Sequence, residues 1–292
     1  MADAEVTFDA LLPPQMASRA EAIGIRKAQT DFWTMLALAV LAGAFIAAGA
    51  LYSTTVSAGA AALPYGVGRL LAGFVFCLGL ILVIVAGAEL FTGNNLIVMA
   101  WAGRKVKTRL LLRNWGIVYL GNFIGAILTA LIMLGTQQYM FGKGSVGVAA
   151  LNTALAKATL NPIQAVFLGI MCNALVCMAV WLCYSARSTI DKILAIIFPI
   201  SAFVAAGFEH SVANMYFIPM GLLIKQFAPA SFWAADALAK ATPAVTVAAY
   251  TRLTWVNFFV NNLIPVTIGN IIGGAGLVGL VYWFAYLRTR QD

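Results

Sequence analysis

The sequence predicts an all-α membrane protein with six transmembrane helices, arranged as two inverted halves of three, with spans two and five broken. Three observations carry this prediction. Of the 292 residues, 62% are hydrophobic and 10% charged, with a mean hydropathy of +0.92. A soluble domain carries about 25% charged residues, so most of this surface is not built for water. The apolar residues gather into six stretches, each long enough for the roughly 20 residues that a bilayer crossing needs. Finally, the motif Ala-Gly-x-Glu-x4-Asn occurs at Ala86–Asn94 and again at Ala206–Asn214, 120 residues further on, each time inside an apolar stretch. A glycine, a carboxylate and an amide are costly at membrane depth unless the backbone there lines a cavity.

Residues 1–31 come first and read as a cytoplasmic, amphipathic segment at the membrane interface. They hold Asp3, Glu5, Asp9, Arg19, Glu21, Arg26, Lys27 and Asp31, with a turn at Leu11-Leu12-Pro13-Pro14. No basic stretch precedes an apolar core, so a cleaved signal peptide is not expected. The spans follow at roughly 32–54, 69–102, 110–136, 162–184, 190–226 and 249–287. Together they form a channel domain over residues 32–288, with repeat halves of about 32–136 and 162–287 and a cytoplasmic tail at 289–292. The second and fifth stretches are too long for one straight crossing, and each contains one copy of the motif. Each is therefore read as a helix, an unwound joint and a further helical piece.

The connections fix the expected orientation. Arg104, Lys105, Lys107, Arg109 and Arg113 surround the start of span three; Arg187 and Lys192 lie between spans four and five; Arg288 and Arg290 follow span six. The opposite connections are poorer, with Arg69, Lys143, Lys157, Lys225, Lys240 and Arg252. The bias towards positive cytoplasmic loops places both termini in the cytoplasm. The formal net charge of +8 is thus spread between spans, which argues against a nucleic-acid face and for topology and anion attraction. Cys77, Cys172, Cys177 and Cys183 form no C-x-x-C, and His210 is the only histidine, so neither a metal nor a haem nor another cofactor is expected.

A second repeat supports the first. Asn-x6-Gly-Asn-x-x-Gly occurs at Asn114–Gly125 in span three and at Asn262–Gly273 in span six, 148 residues apart. Spans two and five correspond, as do three and six. Three crossings separate the partners of each pair, so they run in opposite directions. This is the signature of an inverted-topology repeat, in which broken helices meet at a transport site near the midplane. The glycines at i and i+4 allow close helix packing.

Several segments resemble the formate/nitrite transporter family: Leu90-Phe91-Thr92-Gly93, Gly169-Ile170-Met171-Cys172-Asn173-Ala174-Leu175-Val176-Cys177, Gly207-Phe208-Glu209-His210-Ser211-Val212-Ala213-Asn214-Met215, and Asn262-Leu263-Ile264-Pro265-Val266-Thr267-Ile268-Gly269-Asn270. The resemblance covers about residues 7–288. The stretches around Tyr216–Gly221 and Phe227–Trp233 are most like its formate-channel branch. It implies a homopentamer of aquaporin-like protomers in the inner membrane of a bacterium, each with its own pore and in contact with lipid. It also maps His210, Thr92, Asn173 and Lys157 onto the family's substrate pore, and Phe76, Leu80, Leu90, Phe91, Val176 and Phe203 onto its apolar constrictions.

The residue types fit such chemistry. A neutral imidazole can gain a proton as an anion approaches, or hand one over. The Thr92 hydroxyl can donate to an anion or to the imidazole. Asn173 is expected to orient these groups, and Lys157 to help create an anion-attracting potential. Glu89 and Glu209 would repel an anion if they lined its path. They are read instead as supports, accepting backbone N–H groups freed at the breaks or pairing with each other's half, with Asn94 and Asn214 satisfying further freed backbone groups.

Formate is a small carboxylate with an acidity near that of aspartic acid, pKa ~3.9, and the bare anion pays heavily for desolvation. Either fixed donors stabilise the anion between constrictions, or it takes a proton near His210 and crosses as formic acid. With no phosphate-binding loop for ATP, transport is read as passive or coupled to protons. Nitrite and hydrosulfide are the competing substrates. A neutral-solute pore lacks its expected pair of Asn-Pro-Ala tips here, and an enzyme lacks a nucleophile–base pair. A mobile N-terminal segment that closes the pore as pH falls is the expected regulator.

Overall fold

The computed structural model describes residues 10–235, 238 and 245–289. Asp3, Glu5, Asp9, Lys240 and Arg290, counted above among the charges, lie outside the described residues. Six helices are apolar and long enough to cross a membrane: Phe32–Ser57, Tyr65–Ala86, Thr108–Thr136, Pro162–Ser185, Thr189–Ala206 and Val247–Tyr286. No strand occurs among the described residues.

Local chemistry sets where the spans begin. Asp31 caps span one by accepting the Thr34 N–H at 3.0 Å, and Asn161 caps span four by accepting that of Ile163 at 2.9 Å, with Pro162 in the first helical position. Ser188 and Asp191 form a capping box at the start of span five. Span six is a column of successive helical pieces from Trp255 to Tyr286, in which Phe258–Leu263 and Ile272–Leu280 are wound as wider π turns.

Both long stretches break at their motif. The first limb of span two ends at Ala86, and a second limb resumes as Phe91–Asn94, Asn95–Ile97 and Val98–Ala102. The first limb of span five ends at Ala206 and its second limb is Ser211–Phe227. Gly87 and Gly207 close the first limbs at φ 84° and 79°, a left-handed conformation that a side chain disfavours.

The packing exchanges the halves. Span one lies against spans two and three, and span four against five and six. The first limbs of spans two and five pack on each other, while the second limb of span five reaches span three and that of span two reaches span six. A Cβ on Gly125 would run into the Val40 carbonyl of span one, and a Cβ on Gly273 into the Ile170 carbonyl of span four. The i, i+4 glycines therefore bring backbones into contact at the two equivalent places.

Two longer helices among the described residues, Pro13–Gln29 and Ser145–Ala158, lie outside the spans and their second limbs. Pro13–Gln29 docks beside the last turns of span six. Met16, Ala17, Ala20, Gly24 and Ala28 are buried beneath it, and Met16 shares a cluster with Leu287. Arg19 donates to the Tyr184 carbonyl at 2.9 Å, and Ser185 donates to that of Leu11 at 3.2 Å. The second limb of span two is short, and this helix fills the space it leaves. Ser145–Ala158, in the connection between spans three and four, packs against the second limb of span five. The repeat unit is thus larger than three spans: each half opens with one of these short helices.

Candidate functional site

At each break, the backbone accounting closes in the same way. The Glu89 N–H donates to the Leu38 carbonyl at 3.2 Å, and the Glu209 N–H to the Leu168 carbonyl at 3.3 Å. Asn122 of span three then brackets the first break. Its Oδ1 accepts the Phe91 N–H at 2.9 Å, and its Nδ2 donates to the carbonyls of Glu89 at 2.9 Å and Ala39 at 2.8 Å. Asn270 of span six does the same at the second break, accepting from the Ser211 N–H at 2.9 Å and donating to Glu209 at 3.0 Å and Gly169 at 2.9 Å. Buried backbone groups need such partners. The freed groups therefore go to the asparagines of the second repeat, not to the carboxylates or to Asn94 and Asn214.

Glu89 and Glu209 sit in two matching clamps. Glu89 takes Lys27 on Oε1 at 2.9 Å and Asn94 on Oε2 at 2.7 Å, and Asn94 also donates to Asn114 at 3.0 Å. Glu209 takes Lys157 on Oε1 at 2.7 Å, with Asn214 at 2.6 Å and Asn262 at 3.0 Å on Oε2. Asn214 in turn donates to Asn262 at 2.7 Å. Each carboxylate is thus held by a lysine from its own half's short helix and by amides, and neither pairs with the other half. The copies differ in two bonds: Asn262 reaches Glu209, whereas Asn114 makes no bond to Glu89 among the described residues, and the lysines differ in their second contact. Lys27 also reaches Asn94 Oδ1 at 2.9 Å, whereas Asn214 Oδ1 is buried without a partner and Lys157 lies 5.4 Å from the centre of the Phe217 ring.

Lys157 is accordingly not a loop lysine but the last-turn residue of Ser145–Ala158. Its charge is matched at close range by Glu209, so it adds little net positive potential by itself. Lys27, read from sequence only as one of the charges of the N-terminal segment, is its counterpart. A signal for the pair existed: Lys27-Ala28 and Lys157-Ala158 each stand the same distance ahead of the Asp31 and Asn161 caps.

The breaks meet at Thr92 and His210. Leu90 and His210 occupy equivalent positions ahead of the second limbs, at φ −107°, ψ 125° and φ −108°, ψ 115°. Only His210 has a side chain that can cap: its Nδ1 accepts the Ala213 N–H at 3.0 Å. This fixes the tautomer. With Nδ1 an acceptor, the neutral ring carries its proton on Nε2, which donates to Thr92 Oγ1 at 2.9 Å. The Thr92 hydroxyl makes no other hydrogen bond among the described residues, so its own hydrogen is left to donate onward. A second proton can join Nδ1 only by displacing the Ala213 N–H. Asn173 holds this arrangement through the backbone: it donates to the carbonyls of Thr92 at 3.3 Å and Asn270 at 2.7 Å, and to Asn95 Oδ1 at 2.8 Å. The Cys177 thiol also donates to the Thr92 carbonyl, at 3.3 Å.

A cavity lies on either side of the pair. On the Lys157 face it measures about 590 Å³ and ends on His210, Phe76 and Phe203. Phe76 and Phe203 meet edge to face at 5.6 Å, and Phe203 stacks on the His210 ring at 5.9 Å. On the Lys27 face a cavity of about 80 Å³ is lined by Leu80, Val83, Leu90, Val180 and Tyr184. The structure thus brings Phe76, Phe203, Leu80 and Leu90 to the two sides of the central pair. Phe91 instead turns its ring onto Tyr119 at 4.9 Å and Trp115 at 6.1 Å, and Val176 is buried in the surrounding core.

Two unequal cavities thus flank the single buried Thr92–His210 contact where the inverted halves meet. A family model described as formate/nitrite transporter matches residues 14–284. The chain belongs to that family. It is 45% identical over 288 residues to the formate channel FocA of Escherichia coli K12, covering 99% of each chain. It is 40% identical to that of Haemophilus influenzae, covering 93% of each. Among solved structures, a pentameric formate channel with formate bound superposes with a TM-score of 0.81 at 46% identity, over 88% of this chain and 98% of that one. A second channel of the same family gives 0.76 at 28% identity, over 93% and 98%. The membrane-embedded six-span fold and the non-enzymatic, transporting character of the family agree with the reading from sequence.

Proposed function

We propose that this protein is a formate channel: a homopentamer in the bacterial inner membrane, both termini cytoplasmic, in which each protomer passes formate and similar small monovalent anions. The names and full-length similarity of the relatives support formate over nitrite or hydrosulfide. The observation that carries the mechanism is the Thr92–His210 contact between the two cavities. Nε2–H is spent on Oγ1, so the Thr92 hydroxyl is the donor offered to an ion crossing the Phe76/Phe203 and Leu80/Leu90 constrictions. The neutral imidazole polarises that hydroxyl and takes no charge of its own. The first limbs run toward the break from either face, and the second limbs start there, so their N-terminal dipole ends favour an anion at the same point. The route is passive: the anion is held by donors fixed in advance rather than by a proton taken from His210.

A hydrogen bond to a charged group contributes about 1.5–3 kcal/mol, roughly ten- to a hundredfold in occupancy. In proteoliposomes, Thr92→Val should therefore lower formate flux about tenfold or more, while Thr92→Ser keeps most of it. Unchanged flux in the valine variant would remove the hydroxyl from the mechanism.

A further inference from the structure

The larger cavity has an unequal charge balance that neither clamp explains. Three charged residues line it: Lys157, Glu209 and Arg69. Lys157 and Glu209 neutralise each other at 2.7 Å. Arg69, near the start of span two, has no carboxylate partner among the described residues. Its guanidinium donates instead to the carbonyls of Ala205, at 3.1 Å, and Val204, the last turn of the first limb of span five. That turn is the negative end of a helix, equivalent to about half an elementary charge, and it ends at the same cavity wall. One arginine on it leaves the wall net positive. The smaller cavity has no such group. Lys27, the only charged residue in its lining, is matched by Glu89, and the position 120 residues after Arg69 is Thr189.

We infer that Arg69 is the anion-capturing residue of the Lys157-face mouth, and that it makes the two mouths of an otherwise inverted pore electrostatically unequal. This rests on the proposed conduction of anions. Arg69 acts in two ways. It cancels the helix end that would otherwise repel an arriving carboxylate, and it contributes the cavity's unmatched charge. Anions then gather at this mouth more than at the other, so current carried by anions entering from the Lys157 face exceeds the reverse at low ionic strength. A unit charge about 10 Å from the ion path, at effective dielectric constants of roughly 20–80, changes the local anion concentration by about two- to fifteenfold. The excess fades as salt shortens the screening length from about 10 Å at 0.1 M to about 3 Å at 1 M.

Single-channel currents in symmetrical sodium formate test this with the full-length pentamer in planar bilayers. A Thr153→Cys tag in the cavity wall, reacted at the end of each recording with an impermeant thiol reagent in one chamber, identifies which mouth faces that chamber. The unaltered pore should rectify about twofold or more at ~0.1 M formate, favouring entry from the tagged mouth, and lose this at ~1 M. Arg69→Gln should abolish the rectification and Arg69→Lys should preserve it. Rectification that persists at high salt in the unaltered protein, runs in the opposite sense, or survives Arg69→Gln overturns the inference. The salt series needs only the Thr153→Cys tag, so it decides even if Arg69→Gln fails to assemble. Absence of any formate current in the unaltered protein would instead overturn the channel reading.

Discussion

Replacing either bracketing asparagine should damage both the fold and the pore, and by similar amounts. Asn122→Ala removes three buried hydrogen bonds, at 2.9, 2.9 and 2.8 Å; Asn270→Ala removes three at 2.9, 3.0 and 2.9 Å. In membrane interiors a hydrogen bond contributes about 0.6 kcal/mol on average and up to ~1.7 kcal/mol, because an unfolded chain in lipid also finds partners. Three bonds give about 2–5 kcal/mol, with the upper part of the range expected because both asparagines are fully buried. For a chain of this size that corresponds to a fall of roughly 3–8 °C in the thermal midpoint. Asn261→Ala is the internal control: the same residue type in span six, with a single bond to the Ala158 carbonyl at 3.4 Å. Unfolding of the purified pentamer in detergent, at one heating rate for all variants, measures the difference. If Asn122→Ala and Asn270→Ala melt within about 2 °C of Asn261→Ala, the brackets do not hold the breaks. A large loss in only one of them would refute the equivalence of the halves.

Two further outcomes follow from the clamps and the docked helix. Lys157→Met leaves Glu209 buried without its cation and should cost about 3–5 kcal/mol, whereas Lys157→Met with Glu209→Gln should recover most of that stability; thermal midpoints check this, and an additive double variant would show that the pair is not coupled. Gly24 packs at the joint of the N-terminal helix and the second limb of span two, where an added Cβ would stand 3.2 Å from that of Ala100. Gly24→Leu should lift the helix, expose Arg26 and Lys27 to trypsin and abolish any closure of the pore at acid pH, read as formate flux between pH 7 and 5; acid closure that persists with the helix displaced would separate it from gating.

The parts of this architecture governed by bulk physics could be read from the sequence, and the parts governed by distant partners could not. Apolar length located all six spans, because lipid tolerates few alternatives. The Gly-x-Glu breaks stood out because such residues are expensive at that depth. The helix Ser145–Ala158 was missed: it is too short to cross a membrane, so hydropathy gave no reason to separate it from its loop, and Lys157 was misplaced with it. Lys27 lies 62 residues from Glu89 in the chain, and only its spacing ahead of the Asp31 cap, shared by Lys157 ahead of Asn161, sets it apart from the other charges of the N-terminal segment. Asn122 and Asn270 were visible as a repeat, yet the repeat showed that they matched, not what they bonded. The turn of Phe91 away from the cavities depends on Tyr119 and Trp115, a packing choice that no spacing rule specifies.

Leu90 and His210 share one backbone conformation, and in both the surrounding strain is borne by other residues: the glycine before, the asparagine across, the lysine clamp beyond. The slot is therefore permissive. His210 adds a cap on the Ala213 N–H that Leu90 cannot supply, yet both positions keep the same backbone, so a leucine in one copy and an imidazole in the other coexist on the same frame. An ancestral duplication of such a unit could diverge at this position without renegotiating the fold. Selectivity in this architecture is a property of an exchangeable part, and durability is a property of the fixture that holds it.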